Sequence, residues 1–231
     1  MKTFIDEKEE ILRRAATHIL RTLADKSDAV LALGGGRDEL ALYRELASRC
    51  RSGGLTFPRA RVLALAEFCG AQEEKTVLFS LREALRDCGI PEENFHAPRE
   101  DDPETYEALI TSMGGIDLAV TGIGLNAAVG FNEPATPYSS LTHRQKLTER
   151  TRKRFSSRFG GLEEVPERGV TMGIRTVCSA RDILVIALEK EISAAVFQML
   201  YARDDSVFPA AFLQLPREVS VYLDREAAER L

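Results

Sequence analysis

Ala29-Val30-Leu31-Ala32-Leu33 is a continuous apolar run that stops at Gly34-Gly35-Gly36. A strand that is apolar at every position must be covered on both faces, as a parallel strand between two layers of helices is. Short runs of the same kind recur at Arg61–Leu65, Asp117–Val120, Ile183–Leu188 and Val219–Leu223. Between them the apolar residues fall at helical spacing. Ile5–Ala24 carries Ile11, Ala15, Ile19 and Leu23, and Arg37–Cys50, Lys75–Asp87, Pro103–Met113 and Glu191–Ala202 follow the same period. Leu141–Arg158 is polar and basic, with scattered helix signals. Strands alternating with helices predict an α/β fold: a doubly wound, mostly parallel sheet with helices on both faces. No linker or internal repeat interrupts the pattern, so residues 1–231 read as a single domain.

In such sheets ligands bind beyond the carboxyl ends of the strands, at the topological switch point. Gly34–Gly36, Glu67–Gly70 and Gly122–Glu133 each follow a predicted strand, so they are expected to converge there. The richest of these is Thr121–Pro134, TGIGLNAAVGFNEP. Its glycines let the backbone turn and approach a ligand closely. Its centre, where chemistry would want an acid or a base, holds Ala127 and Ala128.

Composition narrows the function. A net charge of -5 gives no basic footprint for nucleic acid or an anionic membrane. No apolar run reaches the ~18–20 residues of a membrane span. The start, MKTFIDEKEE, mixes acids and bases and does not read as a signal peptide, so cytoplasmic localisation is expected. Cys50, Cys69, Cys88 and Cys178 show no paired spacing and are expected as free thiols. His18, His96 and His143 are scattered, so neither a metal site nor a cofactor is expected.

The same segments, in order, resemble the glucosamine-6-phosphate deaminase/isomerase family, with 6-phosphogluconolactonases as more distant relatives. Gly122-Ile123-Gly124 through Gly130-Phe131-Asn132-Glu133-Pro134 matches the family's GIGxNGHIGFNEP. Leu40–Leu46, Ser140–His143, Val170–Ile174 and Phe212–Leu215 add shorter matches. The resemblance implies a sugar-phosphate isomerase-like fold and a phosphosugar ligand, with a homo-oligomer as a further expectation. It also implies a missing reaction. The ring-opening histidine falls at Ala128 and the isomerisation base at Ala66. A general base contributes ~10²–10⁴-fold, so losing both should leave little deamination. The family's phosphate loop becomes Gly34-Gly35-Gly36-Arg37-Asp38-Glu39, without hydroxyls and with two added carboxylates.

Several candidates keep two readings each. Gly34, Gly35, Gly36 and Arg37 are a phosphate cradle or a tight strand-to-helix turn. Gly124, Asn126 and Thr171 are matched substrate-binding positions. Glu67 is a relocated base or a structural carboxylate, and Glu133 binds a ligand hydroxyl or caps backbone N–H groups. His143 is an acid or base carried on a lid, or a surface histidine. The cations of Leu141–Arg158 attract an anion or merely solvate a lid helix. The expected function is a divergent deaminase-like protein without deaminase activity that retains sugar-phosphate binding. Its rivals are an active isomerase or lactonase using Glu67, Glu133 or His143, and a structural or regulatory subunit with a closed cleft.

Overall fold

The computed structural model describes residues 1–202 and 207–231. Seven strands form one sheet: β1 (Lys2–Asp6), β2 (Val30–Leu33), β3 (Arg61–Ala64), β5 (Phe95–His96), β6 (Leu118–Thr121), β9 (Asp182–Ala187) and β10 (Val219–Asp224). Their order is β1-β10-β9-β6-β2-β3-β5, and every pairing is parallel. A second, antiparallel sheet of three strands, β4 (Ala66–Phe68), β8 (Arg168–Thr171) and β7 (His143–Lys146), follows directly from the end of β3.

Period-two alternation along the strands feeds two cores. Leu31, Leu33, Val62, Val120, Leu184 and Ile186 point to one face. There they meet α1 (Lys8–Asp25), α2 (Arg37–Gly53) and α3 (Val77–Ala84). Val30, Ala32, Leu63, Ala119, Val185 and Val221 point to the other. That face is covered by α4 (Pro103–Ser112), α6 (Ile174–Cys178) and α7 (Ser193–Tyr201). The predicted doubly wound architecture with helices on both faces is therefore the observed one. No helix among the described residues is long and apolar enough to cross a membrane.

The central runs matched the strands closely, and the differences lie at the margins. Ile5 belongs to the edge strand β1, not to the first helix, which begins at Lys8. β1 is held by parallel pairing with β10 and by Phe4 stacked 4.9 Å from Tyr222, contacts that leave no apolar run in the sequence. The predicted Lys75–Asp87 helix is shorter, with α3 ending at Ala84 before a single 3-10 turn. Leu141–Arg158 divides into β7 and α5 (Glu149–Phe159), split by Thr148, whose side chain caps α5.

From β2 the chain runs outward to β3 and β5, then returns through α4 to β6 on the other side of β2. The loops after β2 and β6 therefore diverge at the switch point, joined by the Gly34 N–H donating to Val120 O at 2.8 Å. At the opposite end of these strands, buried Asp117 accepts from the Val30 N–H at 2.8 Å and from Lys26 Nζ at 2.7 Å. Asp117→Ala would leave the Val30 N–H buried without a partner, and should cost ~1–3 kcal/mol. A lower urea midpoint with an unchanged slope would show this; an unchanged midpoint would contradict the role given to Asp117.

Candidate functional site

The crevice at the switch point is occupied by a side chain of the protein itself. Glu39 lies in the first turn of α2, three residues after the N-cap Gly36, from where its carboxylate can fold back toward the helix start. Its Oε1 accepts from the Gly122 N–H at 2.8 Å. A β-carbon at Gly34 would stand 2.3 Å from that oxygen, and at Gly36 or Gly122 it would stand 2.6 or 2.7 Å from Oε2. Three glycines that resemble a ligand cradle thus make room for Glu39, which is 7% exposed.

What is left of the crevice is a cavity of about 60 Å³. Gly34–Gly36, Gly124, Ala66 and Ala128 form its floor, and Thr151, Arg154 and Phe155 of α5 overhang it and leave it partly open to solvent. Pockets that take small organic ligands run to ~300–1,000 Å³, so this one has room for a few waters and not for a hexose phosphate.

The lid helix α5 is pinned at both ends. At its start, Glu133 Oε1 accepts from the Thr148 N–H at 2.9 Å, while Asn126 Nδ2 donates to Glu133 Oε2 at 2.6 Å. Along its length Phe155 and Phe159 pack edge-on against Phe68, with centroids 5.1 and 5.0 Å away, and Phe131 completes the cluster. Such pairs add ~0.5–1.5 kcal/mol each beyond their burial. At its end, Arg158 Nη2 donates to Gly35 O at 2.6 Å, and the guanidinium lies over the Phe155 ring.

The structure separates the residues that the sequence grouped. Gly34, Gly35, Gly36 and Gly124 line the cavity, and Asn126 is turned to Glu133. Arg37 points away from the cavity and pairs with Glu189. Glu67 uses both carboxylate oxygens on backbone donors: Phe68 and Val77 N–H on Oε1, each at 2.8 Å, and Leu78 N–H on Oε2 at 2.9 Å. It caps the start of α3, and burial raises its pKa. Thr171 Oγ1 accepts from the Phe131 N–H at 3.2 Å and so ties the Gly122–Glu133 loop to β8. His143 pairs with Thr171 across the small sheet, its Nδ1 2.8 Å from Leu141 O. Glu67, Glu133 and His143 do not share the cavity wall. Among the described residues no cluster of His, Cys, Asp or Glu could hold a metal ion.

From the sequence Arg154 was one of the several cations of Leu141–Arg158 and Phe155 was not singled out, because only packing turns that face of α5 inward. Glu39 was read merely as added negative charge. Its helix-start position after three glycines was the available signal for its fold-back.

Beside Glu39, Asp38 is equally buried. It accepts from the Leu188 N–H at 3.1 Å and lies 3.6 Å from Arg154 Nη2. Burial, then the neighbouring Glu39 charge, pushes its pKa up to about 6.

Architecture and crevice together define a doubly wound α/β protein with a crevice at the switch point of its parallel sheet. The family described as glucosamine-6-phosphate isomerases/6-phosphogluconolactonase matches residues 6–222. A glucosamine-6-phosphate deaminase of Bacillus pumilus (strain SAFR-032) is 34% identical over 231 residues, covering 96% of each chain. One of Clostridium botulinum (strain Hall) is 31% identical, covering 98% of this chain and 97% of its own. A solved monomeric glucosamine-6-phosphate deaminase superposes with a TM-score of 0.95 at 31% identity, covering 99% of both chains. A 6-phosphogluconolactonase from Leishmania guyanensis shares the fold at 18% identity, with a TM-score of 0.78 over 100% of this chain and 98% of its own. The chain belongs to the glucosamine-6-phosphate isomerase/6-phosphogluconolactonase family and is deaminase-like.

Because the Asp38 pKa is higher folded than unfolded, the folded state holds its proton more tightly. Its contribution to stability is full below the unfolded value of 3.8 and is lost as pH rises through about 6. Asp38→Asn keeps an acceptor for Leu188 without the charge. Its stability relative to the unmutated chain should rise between those pH values and then level off. Denaturant melts across pH check this, and a difference independent of pH would contradict it.

Proposed function

We propose that this chain is a glucosamine-6-phosphate deaminase-like protein of amino-sugar metabolism that does not carry out the deamination. In this reading it acts as a regulatory or structural partner, with its ancestral cleft closed from within. The observation that carries the reading is the 60 Å³ cavity, with methyl groups at Ala66 and Ala128 and the Glu39 carboxylate in the glycine turn. A methyl group moves no proton. A carboxylate already placed on the Gly122 N–H repels a phosphate that would use the same turn.

The retained carboxylates favour this over a rearranged enzyme. Glu67 and Glu133 are held on the starts of α3 and α5, and a base so engaged must first give up those bonds. Phosphosugar binding in the glycine turn requires Glu39 to leave it. Cytoplasmic residence is proposed alongside. So is association with a second copy, although one relative is described as monomeric; light scattering would decide that point.

Ammonia release from glucosamine 6-phosphate should stay at the level of a protein-free control. Turnover in the range of typical enzymes, ~1–10³ s⁻¹, would refute the proposal. Glu39→Ala should open the turn. Glucosamine 6-phosphate should then raise the melting temperature of the variant, measured against its own ligand-free baseline, and leave the unmutated chain unmoved. A shift in the unmutated chain, or none in either, would count against the carboxylate as the closing element.

A further inference from the structure

Beside the cavity, α2 and α5 face each other across a groove of about 480 Å³. Arg37 and Arg44 reach it from α2, and Lys153, Arg154 and Arg158 reach it from α5. Glu191 is the carboxylate on its wall. That is five cations against one anion in a chain whose net charge is -5. Arg154 and Arg158 stand four residues apart on one helix, a spacing at which like charges repel.

Part of this charge is compensated. Arg37 pairs with Glu189, Arg154 with Asp38, and Lys153 with Glu149. Arg44 and Arg158 belong to no ion pair among the described residues. Arg158 is further out of balance, because its Nη1 is buried without a hydrogen-bond partner while Nη2 is spent on Gly35 O. A buried guanidinium N–H without an acceptor is costly, and Arg158 presents it to the groove only by turning away from Gly35 O. Leu40, Leu125 and Phe155 supply the groove with an apolar wall.

We propose that this groove binds a small bisphosphorylated carbon skeleton, its phosphates held by Arg44, Lys153, Arg154 and Arg158, at a site separate from the turn that Glu39 fills. Arginine forks and a lysine are the donors such groups require. The volume lies within the range of small-ligand sites, ~300–1,000 Å³. The apolar wall suits the carbon atoms between two phosphates. An extended nucleic acid is disfavoured by the concave, bounded shape and by the acidic remainder of the chain.

Calorimetric titration at physiological ionic strength, with fructose 1,6-bisphosphate as the probe, tests the site. One saturable site is expected, with inorganic phosphate binding about tenfold or more weakly because half the charge-assisted contacts are lost. Arg44 and Lys153 are exposed, so the double variant R44E/K153E should fold, as circular dichroism would show. It should weaken the probe by about tenfold or more. Arg59→Glu, exposed at the opposite, amino-terminal end of the strands beside Asp28, should not change binding. The proposal fails if the probe does not saturate, if R44E/K153E binds it as the unmutated chain does, or if a short oligoribonucleotide binds the groove more tightly than the probe. None of these readouts depends on deaminase turnover, so this site and the catalytic silence of the cleft can fail separately.

Discussion

The hydrogen bond from the Gly122 N–H to Glu39 joins the two halves of the sheet at the point where they diverge. β2 and β6 are neighbours, but the loops leaving them turn in opposite directions, and a fold of this kind opens a crevice there. In this chain the crevice is satisfied internally. The carboxylate sits against Gly34, Gly36 and Gly122, each of which would collide with it if it carried a side chain. The backbone donors and the helix start that make such a turn attractive to an anion therefore serve an anion supplied by the same helix.

Closure by α5 follows from that arrangement. Arg158 can reach Gly35 O, and Arg154 can reach Asp38, because the turn beneath the lid is compact. The four phenylalanines Phe68, Phe131, Phe155 and Phe159 then pack where a lid that opened and closed for a sugar would have to part. Glu133 and Asn126 spend their hydrogen bonds on anchoring the same helix. In this chain the Gly122–Glu133 loop fastens the start of α5.

The central sheet was legible because its strands are apolar on both faces and each ends in glycine or at a loop of known shape. Val30–Leu33 and Leu118–Thr121 were readable for that reason. β1, β4, β5, β7 and β8 were not, since two-to-five-residue strands at edges or in a small antiparallel sheet are fixed by partners far away in sequence. For the site, the alanines at positions 66 and 128 could be read position by position. The convergence of Gly34–Gly36 with Gly124 also followed from topology. Which way Glu39, Arg37 and Glu67 turn did not, because a residue next to a strand end has an inward and an outward option that only packing decides. The cations of Leu141–Arg158 show the same limit. Sequence gave their number, and the fold divided them between the lid's inner face and an outer groove.

The central claim is that the anion position at the switch point is filled by Glu39. A crystal structure of the chain grown at high glucosamine 6-phosphate concentration tests it most directly. The account predicts the Glu39 carboxylate on the Gly122 N–H and no sugar phosphate in the Gly34–Gly36 turn. A Glu39 side chain swung out, with the phosphate seated on those glycines beneath a displaced α5, would contradict it.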